Sequence, residues 1–193
     1  MQDRIRNISK ELLSGNWYKL WKYSYEIMQK NGEWENQQRE AYDRGNGAAI
    51  LLYNREKGTV ILTRQFRLPT YINGNPEGYM IEACAGLLDK DNPEEEIRRE
   101  TEEETGFRIH HVEKVIEAYM SPGSVTEILY LFVAEYNESM KVNDGGGLAT
   151  EQENIEVMEL PFSKAFDMIG TREIRDAKTI LLLQHAKLGG LLN

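Results

Sequence analysis

The chain has 193 residues, of which 40% are hydrophobic and 28% charged, and its formal net charge is −9. This composition argues against a disordered chain and predicts one main domain with a core, while the negative charge disfavours nucleic acid and anionic membranes as partners. The single cysteine, Cys84, excludes an intrachain disulfide, and its small and apolar neighbours predict a buried structural thiol in a cytoplasmic protein.

The N-terminal region is rich in aromatic residues. Residues 16–29 and 34–42 are predicted as two strands around the turn at Asn31-Gly32, which makes a β-hairpin. An isolated hairpin is marginally stable in water, and this one carries apolar side chains on both faces. It therefore needs a partner surface, which is either the rest of the same chain or a second copy.

Short strands and a few helices follow the hairpin. We expect strands at 47–53, 59–65, 79–84, 112–119 and 128–136, loops at 71–79 and 143–154, and helices at 93–105, 163–169 and 176–188. Mixed strands with interspersed helices predict an α/β sandwich.

The helix at 93–105 has the clearest sequence signals and carries clustered acids. Asn92 is a good N-cap, Pro93 fits the first helical position, and a glycine follows the last turn. Glu100, Glu103 and Glu104 stand at i, i+3 and i+4, so they share one face. Such a cluster is either a solvated acidic face or a site for a hard divalent cation.

The segment before this helix, 83–88, is built of small and apolar residues. Ala85 and Gly86 would let the backbone approach a ligand, and a free carbonyl there could join a metal shell. Together, this predicted glycine loop and the acidic helix would make a site of carboxylate and carbonyl oxygens.

The segment from Gly86 to Phe107 resembles the Nudix box, G-x5-E-x7-R-E-U-x-E-E-x-G-U, in which U is a bulky apolar residue. The matching residues are Gly86, Arg99, Glu100, Glu103, Glu104, Gly106 and Phe107. Asn92 stands at the first Glu of the pattern, only six residues separate it from Arg99, and Thr101 replaces the first U. Thr101 is expected to weaken packing on one side of the helix.

Further motifs are similar to the ADP-ribose and sugar-nucleotide branch of the Nudix superfamily, and within it to the bacterial GDP-mannose pyrophosphatases. They are Arg64-Gln65-Phe66-Arg67, Ser121-Pro122-Gly123, Thr126-Glu127, residues 42–47, 73–75, 145–147 and 175–179. The resemblance implies a Nudix fold, an α/β/α sandwich with a mixed sheet. It also implies Mg²⁺-dependent hydrolysis of GDP-mannose to GMP and mannose 1-phosphate by a homodimer with exchanged N-terminal regions. Residues 1–43 would then be the dimerisation region and 44–193 the hydrolase domain.

The same resemblance implies roles for individual residues. Ala85, Glu100, Glu104 and Glu153 would hold Mg²⁺, which Mn²⁺ could replace, and Glu153, Glu104 and Glu103 would be catalytic. Glu153 is expected to be the general base, with Glu151 as the alternative, on a loop made mobile by Gly145–Gly147. Arg99 would orient a helix carboxylate or form only a surface ion pair. Substrate contacts would come from Trp17, Gln38, Arg39, Glu40, Arg67, Ala85, Gly86, Leu87, Glu104, Glu127, Gln152, Glu153 and Lys178.

Two other functions compete with GDP-mannose hydrolysis. The same site could hydrolyse ADP-ribose or another nucleotide sugar, because base choice depends on a few contacts that sequence spacing does not resolve. A module that only binds a nucleotide belongs to another class, and it would be expected to lack carboxylates that this chain keeps at Glu100, Glu103 and Glu104.

Overall fold

The computed structural model describes residues 4–88, 92–148 and 153–192. The chain divides into two compact units: an N-terminal unit of Met1–Asn46 with Tyr119–Ile128, and a main unit of Gly47–Ala118 with Leu129–Asn193. In the described part of the chain, no helix is long and apolar enough to cross a membrane.

The N-terminal unit is built on an antiparallel sheet in the order β1-β2-β3. Its strands are β1 (Ile5–Ser14), β2 (Lys19–Met28) and β3 (Trp34–Asp43). β2 and β3 pair without a break from Lys19↔Asp43 to Met28↔Trp34, and Gly32 adopts a φ of 84° in the turn. The predicted hairpin is therefore present. β1 was not predicted, and its pairing with β2 has register shifts beside Arg6 and Leu12.

The main unit contains a seven-stranded mixed sheet. Its strands are β4 (Gly47–Asn54), β5 (Thr59–Phe66), β6 (Tyr79–Glu82), β7 (Cys84–Leu87), β8 (Glu113–Tyr119), β9 (Ile128–Glu135) and β10 (Glu156–Pro161). The order is β10-β5-β4-β9-β8, with β6 beside β5 and β7 beside β4. β4 is buried along its whole length, runs parallel to β9 and is antiparallel to β5 and β7. The predicted mixed sheet is confirmed.

The segment predicted as a glycine loop before the acidic helix is a strand. Cys84–Leu87 forms β7 and pairs antiparallel with β4, from Ile50↔Cys84 to Gly47↔Leu87. Backbone pairing with a central strand explains the difference, because a local excess of small residues does not reveal a partner that lies far away in the chain.

Four α-helices and one 3₁₀ helix complete the described structure. They are α1 (Leu68–Ile72), α2 (Pro93–Thr105), the 3₁₀ helix Glu138–Met140, α3 (Phe162–Gly170) and α4 (Ala177–Leu188). The helices predicted at 93–105, 163–169 and 176–188 are present. The loop predicted at 71–79 starts inside α1, and β10 and the 3₁₀ helix were not predicted.

The limits of α2 follow from its caps. The Asn92 side chain accepts hydrogen bonds from the backbone N–H groups of Glu94 and Glu95, and Gly106 ends the helix with a φ of 79°. On the inner face, Ile97 is fully buried, and Thr101 is also buried and donates its hydroxyl to the Ile97 carbonyl at 2.5 Å. Thr101 thus occupies an apolar position without leaving an unsatisfied polar group. The helix is fixed against the sheet with its acidic face toward β7.

Candidate functional site

The acidic face of α2 lies against the backbone of β7. Glu104 is only 1% exposed, and the Ala85 N–H donates to its Oε2 at 3.3 Å. A Cβ placed on Gly86 would lie 2.3 Å from Cδ of Glu100. Only glycine therefore allows the Glu100 carboxylate to lie on the strand at this point. The structure brings together Ala85, Gly86, Glu100 and Glu104, as the sequence predicts.

The carboxylates of this face resist ionisation when no cation is bound. Burial raises the pKa of Glu100 to about 7, opposed by Arg99 and reinforced by Glu103 and Glu153. Burial also raises the pKa of Glu104 to about 8, where the charges of Glu100 and Glu153 add to the effect. A buried carboxylate (Glu104) and a half-buried one (Glu100) that repel each other in this way fit a divalent cation, which would relieve the repulsion.

Arg99 holds the carboxylates of its own helix in place. Its guanidinium donates to Glu103 Oε2 at 2.5 Å, to Glu100 Oε1 at 2.7 Å and through Nε to Glu96 Oε1 at 3.0 Å. Sequence analysis missed Glu96, which is 6% exposed and lies one turn after Asn92. Glu96 gives Arg99 an acidic partner although Asn92 replaces the first Glu of the box. Its i, i+3 spacing to Arg99 was the available signal.

The donor set fits Mg²⁺ with an open shell. Within residues 4–88, 92–148 and 153–192, no group of three or more Asp, Glu, His or Cys side chains is arranged to hold a metal ion. Mg²⁺ is commonly held by one or two carboxylates, with water and substrate phosphate oxygens completing its octahedron. Glu100 and Glu104 can supply the carboxylates, and the β7 backbone beside them can supply a carbonyl oxygen.

A second charged group in the main unit contains Arg67 and Lys178. Arg67 precedes α1, and Lys178 lies in the first turn of α4, yet both donate to the carboxylate of Glu82. Burial raises the pKa of Glu82, but Lys178 and Arg67 outweigh that effect and lower it to about 2. The charge of Glu104 also raises the pKa of Arg67. Glu82 was not predicted, although an acid among apolar strand residues was a visible signal.

Glu153 is tied to α2 through the glycine turn. The N–H groups of Gly146 and Gly147 donate to the carbonyls of Glu104 and Glu103 at 2.8 and 3.1 Å, and the Leu148 N–H donates to Glu153 Oε2 at 3.1 Å. The turn thus caps the C-terminal end of α2 and anchors the expected base beside the acidic face, and the mobility expected of it stays a prediction. Glu151 and Gln152 lie outside the described residues.

The other predicted contact residues divide between the two units. Leu87 lies in β7 of the main unit. In the N-terminal unit, Trp17 is 82% exposed, and Gln38, Arg39 and Glu40 are exposed along β3. Glu127 belongs to the same unit, where Arg44 Nε lies 3.4 Å from its Oε1. The expectation that Cys84 is a buried free thiol is confirmed.

Comparison with known proteins assigns a family to this arrangement. The model described as "NUDIX domain" matches residues 43–183, and the model described as "GDP-mannose pyrophosphatase NudK N-terminal domain" matches residues 4–42. The chain belongs to the Nudix family. The likeness of residues 86–107 to the Nudix box is therefore a family relationship, and the Nudix resemblance inferred from the sequence is confirmed.

Close relatives of this Nudix chain are GDP-mannose pyrophosphatases. That of Yersinia enterocolitica is 58% identical over 100% of both chains. That of Pectobacterium atrosepticum is also 58% identical, over 98% of this chain and 97% of the other. That of Cronobacter sakazakii is 53% identical over the full length of both. Among solved structures, an ADP compounds hydrolase superposes with a TM-score of 0.70 over 97% of this chain and 94% of the other. At 21% identity this likeness shows the fold alone, and it confirms the predicted Nudix fold.

Proposed function

We propose that the chain is a Mg²⁺-dependent pyrophosphatase that hydrolyses GDP-mannose to GMP and mannose 1-phosphate. The observation that carries the proposal is that the main unit holds both the Glu100 and Glu104 carboxylates beside β7 and two cations, Arg67 and Lys178, of which Arg67 is acted on by the charge of Glu104. Diphosphate hydrolysis needs this combination, because the bridging phosphates carry charge that must be neutralised while water attacks. The choice of GDP-mannose rests on relatives of that name at 53–58% identity over the full length.

Each side chain of the main unit has a task in this proposal. Glu100 and Glu104, with the Ala85 carbonyl, would hold Mg²⁺, which when bound would neutralise the diphosphate oxygens. The family resemblance adds Glu153 as a further ligand. Arg67 and Lys178 would donate to those oxygens, and Arg67 suits them because its planar fork matches phosphate geometry. Glu153 would accept the proton of the attacking water, and Glu103 would support the carboxylate cluster. Gly86 and Leu87 would contact the substrate through β7.

The family resemblance assigns the nucleoside and sugar contacts to the remaining predicted residues. They are Trp17, Gln38, Arg39, Glu40, Glu127 and Gln152. Trp17 is 82% exposed in the single chain, which leaves its indole available to stack on a base. Glu151 is the alternative base on the loop before Glu153.

The active protein is proposed to be a homodimer with exchanged N-terminal units. Apolar side chains remain exposed on β1 and after it in the single chain, with Ile8 at 63%, Leu12 at 50% and Trp17 at 82%. Patches of this kind mark interaction surfaces in soluble proteins. A buried free Cys84 fits a reducing compartment, and we assign the protein to the cytoplasm.

A substrate panel with and without metal tests the proposal. Purified protein is incubated with GDP-mannose, ADP-ribose and other nucleotide sugars in Mg²⁺ or excess EDTA, and GMP and sugar phosphate are separated by ion-exchange chromatography. We expect GDP-mannose to give the highest kcat/KM, and only with Mg²⁺ or Mn²⁺. A higher kcat/KM for ADP-ribose than for GDP-mannose would favour the alternative that ADP-ribose is the main substrate. Binding of all substrates without any turnover would show a non-catalytic module.

A further inference from the structure

Glu82 joins the two cations of the main unit. It is 3% exposed, and its Oε1 accepts from Arg67 Nε at 3.0 Å. Its Oε2 accepts from Arg67 Nη2 at 3.0 Å and from Lys178 Nζ at 2.7 Å. One carboxylate thus connects the end of β5 with the first turn of α4.

The backbone around Glu82 is itself fixed. The buried Thr63 hydroxyl donates to the Glu82 carbonyl at 3.2 Å, and the Ala83 N–H donates to the buried Thr179 hydroxyl at 2.7 Å. Thr179 is in turn held by Asp176, the N-cap of α4, which also lies 3.1 Å from Lys178 Nζ. The carboxylate therefore has a defined position between two strands and a helix.

Two cations that share one acceptor cannot move independently. Without the Glu82 carboxylate between them, Arg67 and Lys178 would repel each other, and Asp176 alone would hold Lys178. With Glu82 in place, two carboxylate oxygens set the spacing of the two cations. Arg67 keeps Nη1 to donate elsewhere, and Lys178 keeps one N–H beyond those directed at Glu82 and Asp176. This places two oriented donors side by side before any substrate arrives.

We propose that Glu82 is a positioning residue, which sets the spacing of Arg67 and Lys178 so that both can bind the same diphosphate. The inference rests on the proposed function, because the diphosphate is the group that the two cations would share. Glu82 itself is buried behind the cations and touches neither substrate nor metal in this role.

The kinetic test compares Glu82→Gln with Glu156→Gln under Mg²⁺ and GDP-mannose. Glu156 is a matched control because its carboxylate also accepts from an arginine of β5, Arg64 at 3.2 Å, but at an exposed position. We expect Glu82→Gln to lower kcat/KM by about 100-fold, since misplacing a binding group by about 1 Å has this effect. Glu156→Gln should match wild type. Wild-type kinetics for Glu82→Gln would overturn the inference.

A double-mutant cycle separates positioning from a general loss of structure. In the Arg67→Ala/Lys178→Ala background, the Glu82→Gln change should alter kcat/KM by no more than about 2-fold, because Glu82 acts through the cations removed there. It should also raise Tm in that background, because a buried carboxylate without partners destabilises the fold. An equal loss of activity in both backgrounds would show a merely structural role and would overturn the inference.

Binding of a non-hydrolysable ligand keeps this test separate from the proposed function. A GDP analogue with a methylene bridge between its phosphates is titrated calorimetrically into wild type and Glu82→Gln. We expect about 10-fold or weaker binding by the variant. If the wild type does not hydrolyse GDP-mannose, the proposed function is wrong. If wild type and Glu82→Gln bind the analogue with equal affinity, the positioning role is wrong.

Discussion

Glu100 and Glu104 lie next to β7, where burial raises the pKa of both carboxyl groups when no metal is bound. Replacing either one with Gln keeps the shape of the side chain but removes a carboxylate ligand. We expect Glu100→Gln and Glu104→Gln each to lower kcat by about 100-fold or more with the fold retained. Steady-state kinetics in Mg²⁺ and circular dichroism measure the two properties.

A matched control for these variants lies on the same helix. Glu102 pairs with Arg108 at 2.7 Å and is not part of the acidic face toward β7. Glu102→Gln should therefore retain wild-type kcat. Full turnover of the wild type in excess EDTA would contradict the metal role of Glu100 and Glu104.

Glu153 is the expected general base, held by the Leu148 N–H beside the acidic face. Glu153→Gln should lower kcat by about 100-fold while KM changes little, because the lost interaction belongs to the transition state. Glu151→Gln should have a smaller effect. Wild-type kcat in both variants would show that the base lies elsewhere.

The ion pairs of Glu82 make part of the stability depend on pH. The pKa of Glu82 falls from 4.5 to about 2 on folding. Its contribution to the free energy of unfolding is therefore complete above pH 4.5 and is lost as the pH falls through 2. The shift corresponds to on the order of 3 kcal/mol. The free energies of unfolding of wild type and Glu82→Gln, measured in urea, should differ by this amount at pH 6 and become equal near pH 2. A constant difference across this range would contradict the assignment.

Residues differ in how visible they are from the sequence. The spacing of Glu100, Glu103 and Glu104 predicts their common face, because a helix fixes neighbours three and four positions apart. Glu82 depends on partners 15 and 96 residues away, Arg67 and Lys178, and no local pattern encodes such distances. An acid among apolar strand residues marks Glu82 as unusual, but its partners become known only once the strands and α4 have been placed.

Among the structural elements, the glycine turn at 145–147 has the most direct effect on the site. Gly147 has a φ of 78°, and a Cβ there would lie 2.4 Å from Glu153 Oε2. Gly147→Ala should therefore displace the Glu153 carboxylate and lower kcat by about 10-fold or more, besides straining the backbone. Kinetics and thermal unfolding measure the two effects.

Gly58 separates backbone strain from displacement of Glu153. Its φ is 66°, and a Cβ there would meet nothing within 4 Å. Gly58→Ala should lower the free energy of unfolding by about 1 kcal/mol and leave kcat unchanged. The backbone strain in Gly147→Ala should lower the free energy of unfolding by a similar amount. Equal kcat in Gly147→Ala and wild type would show that the turn does not position Glu153.

Elements with local start and stop signals are predictable from this sequence. Asn92, Pro93 and Gly106 give the limits of α2, and Asn31-Gly32 gives the hairpin turn. β1 and β7 were not predicted as strands, because their backbone partners decide their structure. In β1 the pairing is also irregular, with Asn7 at a φ of 54° beside the first register shift.

At the scale of the whole molecule, the proposed dimer makes the strongest prediction. Deleting residues 1–43 should abolish dimerisation and activity together, because the exchanged N-terminal unit would complete the neighbour's site. Mixing Glu100→Gln subunits with Arg39→Ala subunits should restore part of the activity, since one shared site in each heterodimer is intact. Sedimentation and kinetics measure both. A fully active monomer, or no recovery in the mixture, would contradict exchange.

The order of strands in the main sheet also determines how the chain is made. β4 leaves the ribosome well before its parallel neighbour β9, which begins at Ile128. Because synthesis adds about 5–20 residues per second, the buried strand β4 has an unpaired apolar edge for several seconds before β9 is made. The nascent chain, more than the finished enzyme, is therefore the species that needs protection from aggregation.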